Sequence, residues 1–183
     1  MNCSENYCGQ GNVVDFFSES ACTEKPIKVV EFGLCDISDS HKPAFSTVST
    51  EEPWIACVKN PSMKHIQIVG IDHNIYFSEI LNRSQKKCDV FLYCKDNPCD
   101  FVIFVELKTG GNTTKWVHKA KEQLLNTVQK FADCHKDILN TIVVRQAYAA
   151  NSIDNTTVIP RQNDIEDFFE LGFDFYVKSI IRV

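Results

Sequence analysis

Glycine and proline are scarce in this chain of 183 residues, with 7 and 6 copies, which excludes collagen-like, linker-like and low-complexity readings. No stretch reaches the 18 or so consecutive apolar residues of a membrane span. The opening residues Met1-Asn2-Cys3-Ser4-Glu5 lack a basic region followed by an apolar one. A cytoplasmic protein with no membrane partner is the expectation. Also missing is any tight Cys-x-x-Cys pair. The nine cysteines are odd in number and follow no secretory signal. Their nearest clusters, Cys3 with Cys8 and Cys88 with Cys94 and Cys99, sit at or beyond the loose end of zinc-knuckle spacing. Reduced, unligated thiols are expected.

What is present, 44% hydrophobic and 23% charged residues, is the composition of one globular domain over residues 1–183. At this length folding buries roughly two-thirds of the surface of the unfolded chain, so a core forms without staples. The formal net charge of −5 at first disfavours nucleic acid, because attraction to phosphate supplies most nonspecific binding. Its distribution is uneven: Leu81 to Lys130 carries nine basic and five acidic residues, a local +4, against −9 for the rest. That asymmetry fits a positive surface on an acidic protein, or a solvated helix face with loop lysines.

The first 25 or so residues form a polar extension around one apolar patch, Val13, Val14, Phe16 and Phe17, which reads as a short helix docked on the body. Ile27 to Leu34 reads as an early strand, and Asp36 to Pro53, rich in Ser, Thr and Pro, as irregular chain. HIQIVGID from His65 alternates like a half-buried strand, and CDVFLYC from Cys88 is a second β-prone run. After a turn at Lys95 to Asp100, Phe101 to Leu107 is apolar on both faces until Glu106, as in a central strand covered on both sides. A Gly110 to Thr114 turn opens a helix through about Phe131, with Trp116, Val117, Ala120, Leu124, Val128 and Phe131 on its apolar side. Thr141 to Tyr148 is then a strand parallel to the previous one. Asp164 to Leu171 is a short helix stopped by Gly172, and Phe173 to Val183 alternates as a last strand. The fold class is α/β, with a mixed central sheet flanked by helices on both faces.

One polar group stands out of this framework. Five apolar strand residues run into Glu106, Leu107 and Lys108, so two opposite charges project from one face at a strand end, where sites of α/β sheets form. Residues opposed across the Lys95 to Asp100 turn have numbers summing to roughly 194 to 196, which sets Asp89 beside about Leu107, one residue of register from Glu106. Asp89, a Glu106 oxygen and the Leu107 carbonyl are hard oxygen ligands of the kind Mg²⁺ takes, or Mn²⁺ in its place. Lys108 is placed to orient or deprotonate a water there, or to stabilise charge at a phosphorus centre. The bland alternative is a Glu–Lys pair closing a strand. This is the chain's sole Asp/Glu-x-Lys triplet. Lys115, Lys119 and Gln123 follow on one polar stripe of the helix, either solvated or facing substrate phosphate. His73 and His118, with no spaced partner, read as surface or packing residues rather than bases.

Asp89-Val-Phe-Leu-Tyr, then Phe-Val-Ile-Phe-Val-Glu106-Leu-Lys108, then a helix, resembles the PD-(D/E)XK, or restriction-endonuclease-like, nuclease superfamily over about Ile66 to Tyr148. The resemblance implies an αβββαβ core and a metal-dependent phosphodiesterase acting on DNA or RNA with Mg²⁺ or Mn²⁺. It implies Asp89 and Glu106 as metal ligands, Lys108 as the catalytic lysine, and Gln123 as the glutamine that members often carry on the helix. Two departures stand: Cys88 precedes Asp89 where the family pattern has proline, and no glutamate on a first helix is identified, with Glu24 and Glu79 as candidates. A degenerate member that binds nucleic acid or protein without cleavage is the alternative, and a small structural or regulatory partner the third reading. Assembly into a homodimer or larger complex is left open.

Overall fold

The structure, a computed structural model, describes residues 14–37, 41–75, 86–110, 115–152 and 159–183. Cys3, Cys8, Glu79 and most of the Gly110 to Thr114 turn lie outside them. Among the described residues the elements run β1 (Glu31–Cys35), β2 (Phe45–Thr47), β3 (Ala56–Lys59), β4 (Ile66–Gly70), β5 (Val90–Cys94), β6 (Phe101–Lys108), α1 (Lys115–Cys134), α2 (Lys136–Leu139), β7 (Val144–Asn151), α3 (Gln162–Glu170), β8 (Asp174–Val177) and β9 (Ile180–Arg182). The chain is mixed α/β with two mixed sheets, ordered β4-β5-β6-β7-β8 and β2-β1-β3-β9.

The larger sheet begins as an antiparallel meander. β4 pairs with β5, and β5 with β6 in a register that sets Val90 against Val105 and Tyr93 against Val102, within the range expected from the turn but one residue from the expected pairing, since its continuation sets Asp89 against Glu106 rather than Leu107. Helix α1 then carries the chain back so that β7 runs parallel to β6, and β8 parallel to β7. β6 is buried on both faces because its alternate side chains enter two different cores. Val102 and Phe104 pack with Trp116, Leu124, Val128 and Phe131 of α1 and with Phe168 of α3. Phe101, Ile103, Val105 and Leu107 pack with Phe32, Leu34, Val58 and Ile181 of the second sheet.

The layers are therefore helices, five-stranded sheet and four-stranded sheet, and the expectation of helices on both faces is overturned. The second face is covered by β-structure that the pattern only partly revealed. Phe173 to Val183 is two strands rather than one. Lys178 N–H still bonds to Ala149 of the large sheet while Ser179 C=O already accepts from Cys57 of the small one, so the chain changes sheets between those residues. β4, expected to be half-buried, is buried throughout because both layers cover it. The Asp36 to Pro53 segment contains β2, and β3 follows it at a place where no strand was expected. Gly33 of β1 permits the close approach of Trp54, whose ring lies 2.2 Å from where a Cβ would stand.

The expected N-terminal helix is also absent at its described positions. Val14 to Phe17 are irregular, and a single 3₁₀ turn follows at Glu19–Ala21. Phe16 and Phe17 instead insert as anchors: Phe16 meets Phe91, Phe104 and Phe131 edge to face at centroid distances of 5.7, 6.0 and 5.4 Å. Helix α3 ends as expected at Gly172, whose φ of +78° suits glycine. Its N–H bonds to Phe169 C=O and that of Phe173 to Phe168 C=O, the two bonds of a Schellman cap.

Candidate functional site

The polar residues singled out in the sequence meet where β6 emerges from the core. Asp89 lies just before β5, with its backbone held on both sides: its N–H donates to Val105 C=O at 3.1 Å and its C=O accepts from Ile71 N–H at 2.8 Å. Its carboxylate takes the place of the next ladder acceptor, as Oδ2 receives the Leu107 N–H at 2.6 Å. In an extended strand the N–H and C=O of one residue open to the same side, so the Leu107 carbonyl faces the Asp89 side as well. Glu106 and Lys108 continue the row of Val102 and Phe104 toward the helix layer. They form an ion pair between Lys108 Nζ and Glu106 Oε1.

Helix α1 fixes this corner from above. Lys108 Nζ also donates to Gln123 Oε1 at 3.0 Å, and Gln123 Nε2 donates to Lys87 C=O at 2.7 Å. One turn further along, Thr127 Oγ1 accepts the Cys88 N–H at 2.9 Å and donates to Gln123 C=O at 2.9 Å. The helix thus grips the backbone of Lys87 and Cys88 directly before Asp89. Below the site, buried Asn151 at the end of β7 exchanges two hydrogen bonds with Gly110, at 3.4 and 3.2 Å, and so ties down the chain that leaves Lys108. Sequence reasoning missed Thr127 and Asn151. A hydroxyl or amide at a strand or helix position carries no signal until the partner segment is known.

The electrostatics are those of carboxylates held out of water. Glu106 is 0% exposed and Asp89 8%. Burial pushes the Asp89 carboxyl up to about 7, against the Leu107 N–H and the Lys108 ammonium, while Asp36 and Asp72 add to the upward push. Burial, followed by the neighbouring Asp89, raises Glu106 well above the usual carboxylate range in spite of Lys108. Burial alone would lower Lys108, but the adjacent Glu106 outweighs it and raises the ammonium. One atom has no partner: Glu106 Oε2 is buried without any hydrogen bond. Such an atom costs on the order of 1–3 kcal/mol or more unless a proton or cation answers it.

Asp36, past the end of β1, and Asp72, past the end of β4, stand close enough to Asp89 to raise it. Neither was singled out, although Asp72 follows an apolar run just as Glu106 does, and that signal was available. Among the described residues no set of three or more His, Cys, Asp or Glu side chains is arranged to hold a metal ion. The site thus offers two buried carboxylates and a backbone carbonyl rather than a closed cage, a donor set that suits a hard cation retaining several waters.

The other sequence candidates lie elsewhere. Lys115 and Lys119, two turns and one turn N-terminal to Gln123 along α1, are exposed and line a cavity between α1 and α3. Glu24 is on a loop, not a helix, where its carboxylate accepts from the N–H and hydroxyl of Ser46. His73 lies 3.3 Å from Asp72 and edge-on to His41, and His118 is exposed 3.7 Å from Glu122. None of the seven described cysteines is disulfide-bonded. No described helix is long and apolar enough to cross a membrane. Comparison with protein-family models, with curated proteins and with solved structures returns no match.

Proposed function

We propose that this chain is a metal-dependent nuclease of PD-(D/E)XK type that hydrolyses phosphodiester bonds of DNA or RNA. The observation that carries the proposal is the buried, unpartnered Oε2 of Glu106 beside buried Asp89, at the end of the strand that also presents Lys108. Two desolvated carboxylates at one strand end need protons or a cation to answer them, and the cation is the reading that also gives Lys108 and Gln123 a use. Asp89, Glu106 and the Leu107 carbonyl would hold Mg²⁺ or Mn²⁺, which supplies Lewis acidity toward a phosphoryl oxygen and an acidified water.

The chain's own groups divide the remaining work. Lys108, kept cationic by Glu106 and aimed by Gln123, orients the attacking water or stabilises the charge that develops on the phosphoryl oxygens. Gln123 holds Lys108 in place. Asp89, pinned at both its amide and its carbonyl, fixes one ligand to the centre of the sheet and limits drift of the site. The order of the meander β4-β5-β6, crossover helix α1 and parallel β7 supports an αβββαβ core. No α-helix precedes β4 among the described residues, and this is a departure from that pattern. The alternative, a degenerate nuclease fold that binds nucleic acid or protein, is favoured by one observation, the lack of a third ligating side chain in the described site.

The test is cleavage of labelled single- and double-stranded DNA and RNA with and without Mg²⁺ or Mn²⁺, alongside isothermal titration of the cation. Cation binding with cation-dependent cleavage, both lost in Glu106→Gln, is the expected result. Binding without cleavage of any substrate would select the degenerate reading.

A further inference from the structure

Beyond the carboxylate corner, the strongest unassigned feature is the cavity of about 510 Å³ between the first turns of α1 and the start of α3. Its rim is cationic. Lys115 and Lys119 come from α1 and Arg161 from the residue that opens α3. The acid in the lining, Asp164, shares Lys121 with Asp167 at 2.7 and 2.6 Å, which leaves one negative charge against the three cations of the rim, and Glu122 of α1 is engaged by Lys86. Its apolar lining is Val117, Pro160 and Ile159, of which Val117 is buried and Ile159, 84% exposed, stands at the mouth.

The place of this cavity along the helix relates it to the carboxylate corner. Lys119 stands four residues and Lys115 eight residues before Gln123, so at 1.5 Å per residue they lie about 6 and 12 Å along the axis from the amide that holds Lys108. Those steps match successive phosphates of an extended strand that leaves the site along α1. A continuous duplex would use only the cations, because it shows its phosphates and keeps its bases stacked inside. An unpaired base would also desolvate the apolar lining, which a stacked duplex cannot reach. A volume of this size is within the range of small-molecule sites and accommodates one nucleotide.

We propose that the α1–α3 cavity receives an unpaired nucleotide of the substrate strand, its base against Val117, Ile159 and Pro160 and its flanking phosphates on Lys115, Lys119 and Arg161, so that the preferred substrate carries a single-stranded segment beside the scissile bond. This inference rests on the nuclease reading for the words substrate and scissile bond, but the binding preference can be measured without hydrolysis.

The experiment uses the full chain in EDTA, where no cation-dependent cleavage proceeds. Fluorescence anisotropy reports binding of a blunt duplex, the same duplex with a single-stranded overhang, and the free single strand, each as DNA and as RNA. The overhang duplex and the single strand are expected to bind at least tenfold more tightly than the blunt duplex. Arg161→Ala is expected to reduce overhang binding several-fold and to lower the slope of log affinity against log salt by about 0.7, one phosphate contact to a single strand. Ile159→Asp, at an exposed position where folding is not at stake, is expected to remove most of the overhang preference. Equal affinity for blunt and overhang duplexes, no binding to any of the probes, or an equal loss for both duplexes in the two variants would overturn the proposal. Failure of the nuclease reading has a different mark: no cation-dependent cleavage of any substrate, whatever the binding preference.

Discussion

Lys108 and Gln123, fifteen positions apart, are joined by a 3.0 Å hydrogen bond from Nζ to Oε1, and the same glutamine amide donates to the Lys87 carbonyl. One side chain of the helix therefore sets both Lys108 and the backbone that leads into Asp89. Gln123→Leu keeps the volume and removes both bonds. It is expected to lower kcat by about 10- to 100-fold with a small change in KM, because positioning matters most in the transition state. The unfolding free energy should fall by about 1–3 kcal/mol, since the Lys87 carbonyl loses its donor. Steady-state kinetics with denaturant unfolding checks both. An unchanged kcat would reduce Gln123 to a packing residue.

The raised Asp89 carboxyl gives a stability signature independent of activity. Burial raises it to about 7 from the ordinary 3.8 of an aspartate, so the folded state holds the proton more tightly than the unfolded one. Its contribution is full below pH 4 and is lost as pH rises through 7. At pH 8 in EDTA, Asp89→Asn, which keeps an oxygen for the Leu107 N–H, is expected to be more stable than wild type, by up to a few kcal/mol. With Mg²⁺ the gap should narrow by about 2.7 kcal/mol, the stabilisation from a ligand at 100 times its Kd, because the variant has lost a ligand. Thermal unfolding at pH 8 with and without Mg²⁺ tests this, and a variant less stable than wild type in EDTA would contradict the desolvation argument.

Lys108 is bound to a carboxylate that is 0% exposed, so its removal is not the loss of a surface ion pair. Lys108→Ala leaves Glu106 uncompensated and is expected to cost about 3 kcal/mol at neutral pH, the lower end for a buried pair because Lys108 itself is 26% exposed. The cost should shrink in acid, where Glu106 is protonated in both proteins. Cleavage should fall at least 10²-fold, the usual loss for a preorganised transition-state contact. Lys108→Arg separates two roles: guanidinium keeps the charge but does not give up its proton, so retained activity assigns Lys108 to charge stabilisation and lost activity to base chemistry. Full activity in the Ala variant would remove it from the catalytic set.

The corner around Glu106 was legible because its signals are local. An apolar run ending in Glu-Leu-Lys marks a strand end, and a short turn fixes hairpin register, which leads to the Asp89–Leu107 contact. The second sheet was legible only in part: β1 lies largely in the strand expected at Ile27 to Leu34 and β9 in the run from Phe173 to Val183, but β2, β3 and the pairing of these strands into a separate layer were not. Its strands are three to five residues long, too short for alternation to stand out, and β3 pairs with β9 from the opposite end of the chain. The N-terminal anchors misled for a related reason: two adjacent phenylalanines resemble helix periodicity, but their burial is set by an aromatic cluster assembled from β5, β6 and α1. Lys115, Lys119 and Gln123 do share a stripe, yet Gln123 bonds to Lys108 while the lysines line the α1–α3 cavity, because α3 covers only the first turns.

His135, far from the carboxylates in sequence, supplies the last test. It is buried between Phe16, Phe17 and Phe131, with ring centroids 5.8, 5.2 and 4.7 Å away, and Nε2 accepts the Phe16 N–H at 3.5 Å. Burial lowers its pKa from 6.5 to about 4, against a small upward pull from Asp15. Between those values the unfolded chain binds more protons than the folded one. Stability therefore falls as pH drops from about 6.5 to 4, by up to about 3 kcal/mol, and levels off below that. Asp89 acts with the opposite sign over an overlapping window, so wild type should show a flattened pH profile in which the two partly cancel. Glu106, raised as well, acts with the sign of Asp89, so the comparison is made in a Glu106→Gln background: there Asp89→Asn should lose stability steadily from pH 6.5 to 4, and His135→Leu should gain stability over the same descent. Urea midpoints measured at half-unit pH steps in EDTA resolve the two slopes, and parallel profiles for the two variants would refute the assignment of both groups.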